Sequence, residues 1–254
     1  MRPTKGDEKI GVPFQARRSM LMELKIAAKQ LGWLKMEDFC PRCVWLMQRH
    51  PIPQGSVYDS PLSQFFRRFE NFVQQLVKGG IPSWLSMALQ TAFPSMPSVR
   101  RMLIPPTWSL RVGGGLLTGR PDVLWELEDG TLFIADYKLS QPSTRFAPLY
   151  ETQLNAYALM AKRQQKSKVS HLALIYFELS EEGLPPTENL ELPIKCTVQP
   201  VSVWDEGEVE ALVEEMVGLL SQPQPPPPKP NCQRCEPLTK WAQILADWFR
   251  VERQ

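Results

Sequence analysis

Residues 119–140 read GRPDVLWELEDGTLFIADYKLS, two short apolar runs joined through Glu128-Asp129-Gly130. The runs have the length and composition of strands, and an Asp-Gly pair between them marks a hairpin turn. Asp136 and Lys138 stand two apart on the second run, so both side chains leave the same face. A three-residue loop with Gly130 in the left-handed position pairs Leu127 with Thr131 and sets Asp122 opposite Asp136. Opposed residues have Cβ atoms about 5 Å apart, a spacing that lets two carboxylates share one hard cation. A two-residue loop at Asp129-Gly130 would throw the two acids to opposite faces. Register decides the reading.

The bland alternative is a surface hairpin with an exposed Asp–Lys ion pair, which stabilises by only ~0–1 kcal/mol. Residues 132–136, LFIAD, argue against it, because an acid that ends an apolar run needs a partner or a metal. Downstream, a helix is expected from Leu149 to Gln165. It carries QLNAY, with Gln153 and Tyr157 four apart on one face. An apolar strand, HLALIYFEL, and a strand around KCTVQPVSV follow. A helix over 205–220 has an apolar stripe of Val209, Leu212, Val213, Met216, Val217 and Leu220.

Upstream, residues 17–50 read as two helices, RRSMLMELKIAAKQLGWL and MEDFCPRCVWLMQR. Ser60-Pro61 opens a third with apolar residues at helical spacing, and Pro82 begins a short fourth toward Phe93. Strands start at Arg100: RMLIPPTWSLRV, LLTGRPDVLWEL and TLFIADYKL. The expected organisation is a flexible N-terminus over 1–16, a helical lobe over 17–99 and an α/β core over 100–221. The run QPQPPPPKP makes 222–230 a stiff, extended linker. It leads to a cysteine pair and a helix over 231–254.

The chain has 254 residues, 43% apolar and 22% charged, the composition of an ordinary globular protein. A net charge of +2 does not by itself point to nucleic acid. Local charge is more telling. Arg145, Lys162, Arg163, Lys166 and Lys168 form a basic set that could follow phosphates, while residues 205–215 are acidic and are expected on another face. No run reaches the ~18 apolar residues of a membrane span, and the polar start lacks a secretory signal. A cytoplasmic, reducing setting is expected, so the five cysteines read as ligands or core residues rather than disulfides.

Asp122, Asp136-Tyr137-Lys138 and the QLNAY segment together resemble the PD-(D/E)XK nuclease superfamily. Within it the chain is most similar to the RecB branch, which includes the CRISPR adaptation exonucleases. The resemblance implies a restriction-endonuclease-like fold, a mixed central sheet flanked by helices. It implies a metal-dependent DNA nuclease using Mg²⁺ or Mn²⁺, possible on single strands. Asp122 and Asp136 would be the metal-binding acids, Lys138 the motif lysine, and Gln153 and Tyr157 the branch's helical motif. A further ligand, His or Glu, is expected on an N-terminal helix. No clear match exists; Glu70 in FFRRFENFV is the best candidate, ahead of His50. Glu126 shares a strand face with Asp122 but belongs at the hairpin end.

Cys40-Pro-Arg-Cys43 and Cys232-Gln-Arg-Cys235 supply the four thiolates of a tetrahedral Zn²⁺ and equally those of an iron–sulfur cluster. Relatives in the resembled branch clamp their chain ends with a 4Fe–4S cluster, commonly from one upstream and three downstream cysteines. The two-and-two arrangement here favours zinc. Cys196 reads as a core residue. A second functional reading belongs to another class: a catalytically inactive nuclease-fold scaffold that binds nucleic acid or protein, with the Pro-rich linker as a ligand for a partner's groove.

Overall fold

The computed structural model describes residues 24–49, 61–179 and 194–237, together with 240, 243, 244 and 248. Its strands are β1 Lys25–Ala27, β2 Val99–Leu103, β3 Trp108–Val112, β4 Gly115–Gly119, β5 Val123–Leu127, β6 Leu132–Lys138, β7 Val169–Leu179 and β8 Ile194–Val201. Its helices are α1 Ala28–Leu31, α2 Pro41–Arg49, α3 Pro61–Lys78, α4 Ser83–Ala92, α5 Ala147–Gln165 and α6 Glu206–Leu220.

The main sheet has the order β2-β5-β6-β7-β8. β5 and β6 form the hairpin, while β6 and β7 run parallel and are joined through α5. The sheet is therefore mixed, with β6 at its centre. Alternation along β6 divides the core. Leu132 and Ile134 pack with residues of α5 and α6, while Phe133 and Ala135 pack with residues of α3 and α4. Helices thus cover both faces, as a parallel pair of apolar strands requires. Continuing the period of two puts Asp136 and Lys138 on the α5 side.

The hairpin register is the one a three-residue loop gives. Val123 pairs with Ala135 and Glu126 with Leu132. The Leu127 N–H donates to the Thr131 carbonyl at 2.8 Å, and Gly130 has φ of 78°. Asp129 Oδ1 accepts the Thr131 N–H at 2.9 Å and the Thr131 hydroxyl at 2.7 Å, which fixes the turn.

Several expectations need correction. Residues 17–34 do not form one helix: in the described part, Lys25–Ala27 pairs in parallel with Leu116–Thr118, and a short α1 and a 3₁₀ turn over Gly32–Lys35 follow. The single expected meander is two sheets, with β1-β4-β3 as a small second one. The breaks fall at Pro105-Pro106 and at Pro121, where proline has no N–H for a ladder. The Pro-rich run is no free linker. Pro226 is buried and its carbonyl accepts Arg42 Nε at 2.9 Å, while Trp45 Nε1 donates to the Gln222 carbonyl at 3.0 Å. The segment is a strap across α2.

The acidic helix does not form a separate face from the basic set. Lys162 and Arg163 on α5 are ion-paired with Glu206, and Arg163 also with Glu210, on α6. The N-terminus over 1–16 and His50 lie outside the described residues. Among the described residues no helix is long and apolar enough to cross a membrane.

Candidate active site and cysteine centre

Extending the β5–β6 register one step places Asp122 opposite Asp136, at the end of the hairpin away from its turn. Asp122 Oδ2 accepts the backbone N–H of Tyr137 at 2.8 Å, which locks this acid to the neighbouring strand. Asp136 is 5% exposed. Its Oδ2 is ion-paired with Lys138 Nζ, and its Oδ1 accepts a hydrogen bond from Gln153 Nε2 at 3.3 Å. The same Gln153 nitrogen lies 2.8 Å from the Tyr157 hydroxyl. Lys138 Nζ also stands 4.0 Å from the centre of the Tyr150 ring. Two strands and one helix thus bring Asp122, Asp136, Lys138, Gln153 and Tyr157 together.

Burial sets the chemistry here. Tyr157 is pushed well above the ordinary phenol range by desolvation, with Asp136 adding to the effect, so it stays protonated near neutral pH. Tyr176 sits beside Lys138 in the β6–β7 register. Burial pushes its phenol up to about 12, with Tyr150, Glu151 and Asp136 contributing. Its hydroxyl and Gln153 Oε1 are buried with no hydrogen-bond partner among the described residues. Two orphaned oxygens near a buried carboxylate are what a hydrated hard cation would satisfy, and the donor set is all oxygen. The residues fit Mg²⁺ or Mn²⁺. The sequence reading missed Tyr176, although Leu172, Leu174 and Tyr176 alternate on one face of HLALIYFEL.

Gly119 is a second missed residue. A Cβ there would stand 2.5 Å from Tyr157 Cε1 and 3.1 Å from Ala28 Cβ. Asn155, within QLNAY, is structural. Its amide donates to the Glu151 and Ser202 carbonyls and its oxygen accepts the Trp204 N–H, tying the segment between β8 and α6 to α5.

Other expected residues lie elsewhere. Glu70 is on α3, but its side chain is outside the described residues. Glu126 is held by Arg100 and Arg101 at the turn end of the hairpin. Lys162 and Arg163 have their acidic partners on α6, and Lys166 and Lys168 precede β7 at the end where β6 begins. These four are thus at the opposite end of β6 from Lys138 and do not line the acid pair. Arg145 pairs with Asp38 at 3.1 Å and lines a separate cavity beside the cysteines.

The four motif cysteines converge across almost the whole chain. Cys43 Sγ lies 3.2 Å from Cys235 Sγ and 3.7 Å from Cys232 Sγ, and Cys40 Sγ lies 3.6 Å from Cys235 Sγ. All four sulfurs are within 4.8 Å of one another. The Lys229 N–H points at Cys40 Sγ at 3.4 Å. Burial raises the Cys43 thiol, whereas backbone N–H groups of Cys235 and Arg234 help to hold Cys232 at about 6. The quartet can hold a metal clamp between the two ends. Cys196 stands apart, packed against the α3–α4 side of the core.

The family model of the PD-(D/E)XK nuclease superfamily matches residues 47–238. The chain belongs to the PD-(D/E)XK nuclease superfamily. The mixed sheet flanked by helices is the fold that the sequence of this PD-(D/E)XK chain implied. A solved structure described as the crystal structure of SSO0001 is similar at 16% identity and a TM-score of 0.44, over 79% of this chain and 78% of that one. No curated protein matches this PD-(D/E)XK chain at a significant level.

Proposed function

We propose that this protein is a divalent-cation-dependent nuclease that hydrolyses DNA phosphodiester bonds in the cytoplasm, and that its relatives lie in the RecB-like branch. The observation that carries the reading is the opposition of Asp122 and Asp136 across the hairpin, with Lys138 paired to the buried acid. Asp122 and Asp136 would hold Mg²⁺ or Mn²⁺, with Glu70 as a candidate third ligand. Such a cation supplies positive charge against the phosphate oxygens and makes water more acidic.

The chain's own groups do the rest. The backbone N–H of Tyr137 orients Asp122. Gln153 holds Asp136 by its amide, and Tyr157, a neutral phenol, holds Gln153 in turn. Lys138 Nζ stabilises negative charge that develops on the phosphate or orients the attacking water. Tyr150 and the strand end shield that ammonium group from bulk solvent.

A structural Zn²⁺ is the proposed occupant of the cysteine quartet. Tetrahedral ligation with Zn–S near 2.3 Å places sulfurs about 3.8 Å apart, close to the separations here. A 4Fe–4S cluster caps a different iron with each thiolate and spreads them further.

The test is cleavage of single-stranded and duplex DNA with Mg²⁺, Mn²⁺ or EDTA, beside an Asp136→Ala protein. Metal-dependent cutting that the substitution abolishes is the expected result. Binding without cutting by the unaltered protein would leave the inactive-scaffold reading instead.

A further inference from the structure

A cavity of about 490 Å³ opens at the end of β6 beyond the acid pair. Its walls include Tyr137 and Lys138 from β6, Tyr150 from α5, Phe177 from β7, Phe69 from α3 and Lys29 from α1. The volume is within the roughly 300–1,000 Å³ range of small-molecule sites. Two features distinguish it from an ordinary surface cleft. Its described lining has two lysines and no carboxylate. One wall is aromatic: the Phe177 ring centre lies 5.7 Å from that of Phe69 and 5.6 Å from that of Tyr137.

The two lysines are not equivalent. Lys138 is ion-paired with Asp136, which ties the cavity directly to the acid site. Lys29 is exposed, on a different element, and none of the ion pairs among the described residues includes it. A cation and aromatic side chains in one concavity are the two elements with which proteins hold single-stranded nucleic acid: charge for the backbone, rings for the base. Here the rings meet at steep angles, Phe177 standing at 71° to Phe69 and 58° to Tyr137. A base that enters such a wall must have left its complementary strand, because pairing and stacking in a duplex bury the same edge and faces.

Resting on the nuclease reading, we infer that this cavity is a subsite for one unpaired nucleotide adjoining the scissile phosphate. Its base lies against Phe69, Tyr137 and Phe177, and its phosphate on Lys29. The substrate is therefore a single strand or a frayed end rather than an intact duplex.

The test measures binding by the full chain carrying Asp136→Asn, which separates binding from cleavage. Fluorescence anisotropy is read with a single-stranded oligodeoxynucleotide, a blunt duplex, and a set of single strands each with one abasic position. Stacking of one base is worth about 5- to 100-fold in affinity. Expected are tighter binding of the single strand, and an abasic penalty of at least about fivefold confined to one position. Lys29→Gln should weaken binding and lower the slope of log K against log salt by about 0.7, the value for one phosphate contact on a single strand. Lys29→Arg should restore the slope. Lys29 is exposed, so an unchanged melting temperature will accompany its replacement. Equal affinity for the duplex, abasic penalties spread evenly, or a salt slope unmoved by Lys29→Gln each overturns the subsite. Cutting by the unaltered protein without any base-position effect removes the subsite and leaves the nuclease. Position-specific binding with no cutting removes the nuclease and leaves the subsite.

Discussion

Gly119 and Tyr157 are in direct contact, the ring edge of the tyrosine lying where a side chain at 119 would begin. That contact seats the phenol beneath Gln153, which in turn holds Asp136. Gly119→Ala should displace Tyr157 and loosen this chain of bonds. Overpacking of this kind costs about 1–3 kcal/mol. The expected outcome is a lower melting temperature together with reduced cleavage, measured on the same preparation. Unchanged activity in a destabilised protein would separate the contact from the site.

Lys138→Met tests the ion pair. Lys138 and Asp136 are both largely buried, with side-chain exposures of 12% and 6%. Removing one partner of a buried pair strands the other charge and costs about 3–5 kcal/mol. Cleavage should fall by about 100-fold or more, since a group aimed at developing charge is lost. Lys138→Arg keeps the charge and should recover stability before it recovers activity.

Alkaline pH should weaken the fold. Tyr157 and Tyr176 both have phenols raised by burial. Between an unfolded value near 10 and the raised folded values, the native state retains protons that the unfolded chain has released. Their contribution is fully present below about pH 10 and is lost as pH rises through the folded values. Melting temperature followed between about pH 8 and 12 should be flat and then fall. Tyr157→Phe removes part of that fall, and an identical pH profile would refute its cause.

The purified chain should contain about one zinc atom per molecule and be colourless. Chelation, or Cys43→Ser, should release the metal and lower the melting temperature, because closing so long a loop stabilises the folded state. Metal analysis checks the first point and thermal unfolding the second. Brown protein with absorbance in the visible blue would assign an iron–sulfur cluster instead.

The hairpin was legible because its information is local. Asp129-Gly130 marks the turn and leaves two loop lengths open; the bonds of Asp129 to Thr131 go with the three-residue form, whose register opposes Asp122 to Asp136. The α5 helix and the apolar β7 strand were readable from period and length. The strand over Lys25–Ala27 was not, since three residues have no measurable period and their partner is at 116–118. Lys162 and Arg163 looked free because the acids that neutralise them come from α6, after an intervening pair of strands. The Pro-rich run looked like a tether because nothing in its own composition records Arg42 and Trp45 gripping its carbonyls. Propensity reads neighbours in sequence; these contacts are between strangers.

Cys40 and Cys235 are 195 positions apart, and the strap that lies on α2 comes just before the second cysteine pair. During synthesis the first pair leaves the ribosome long before the second exists. The hairpin with its acids can form in the interval, but the contacts of α2 with Gln222 and Pro226 must wait until residues 222–235 arrive. Loading of the clamp therefore waits until residues 222–235 have been made.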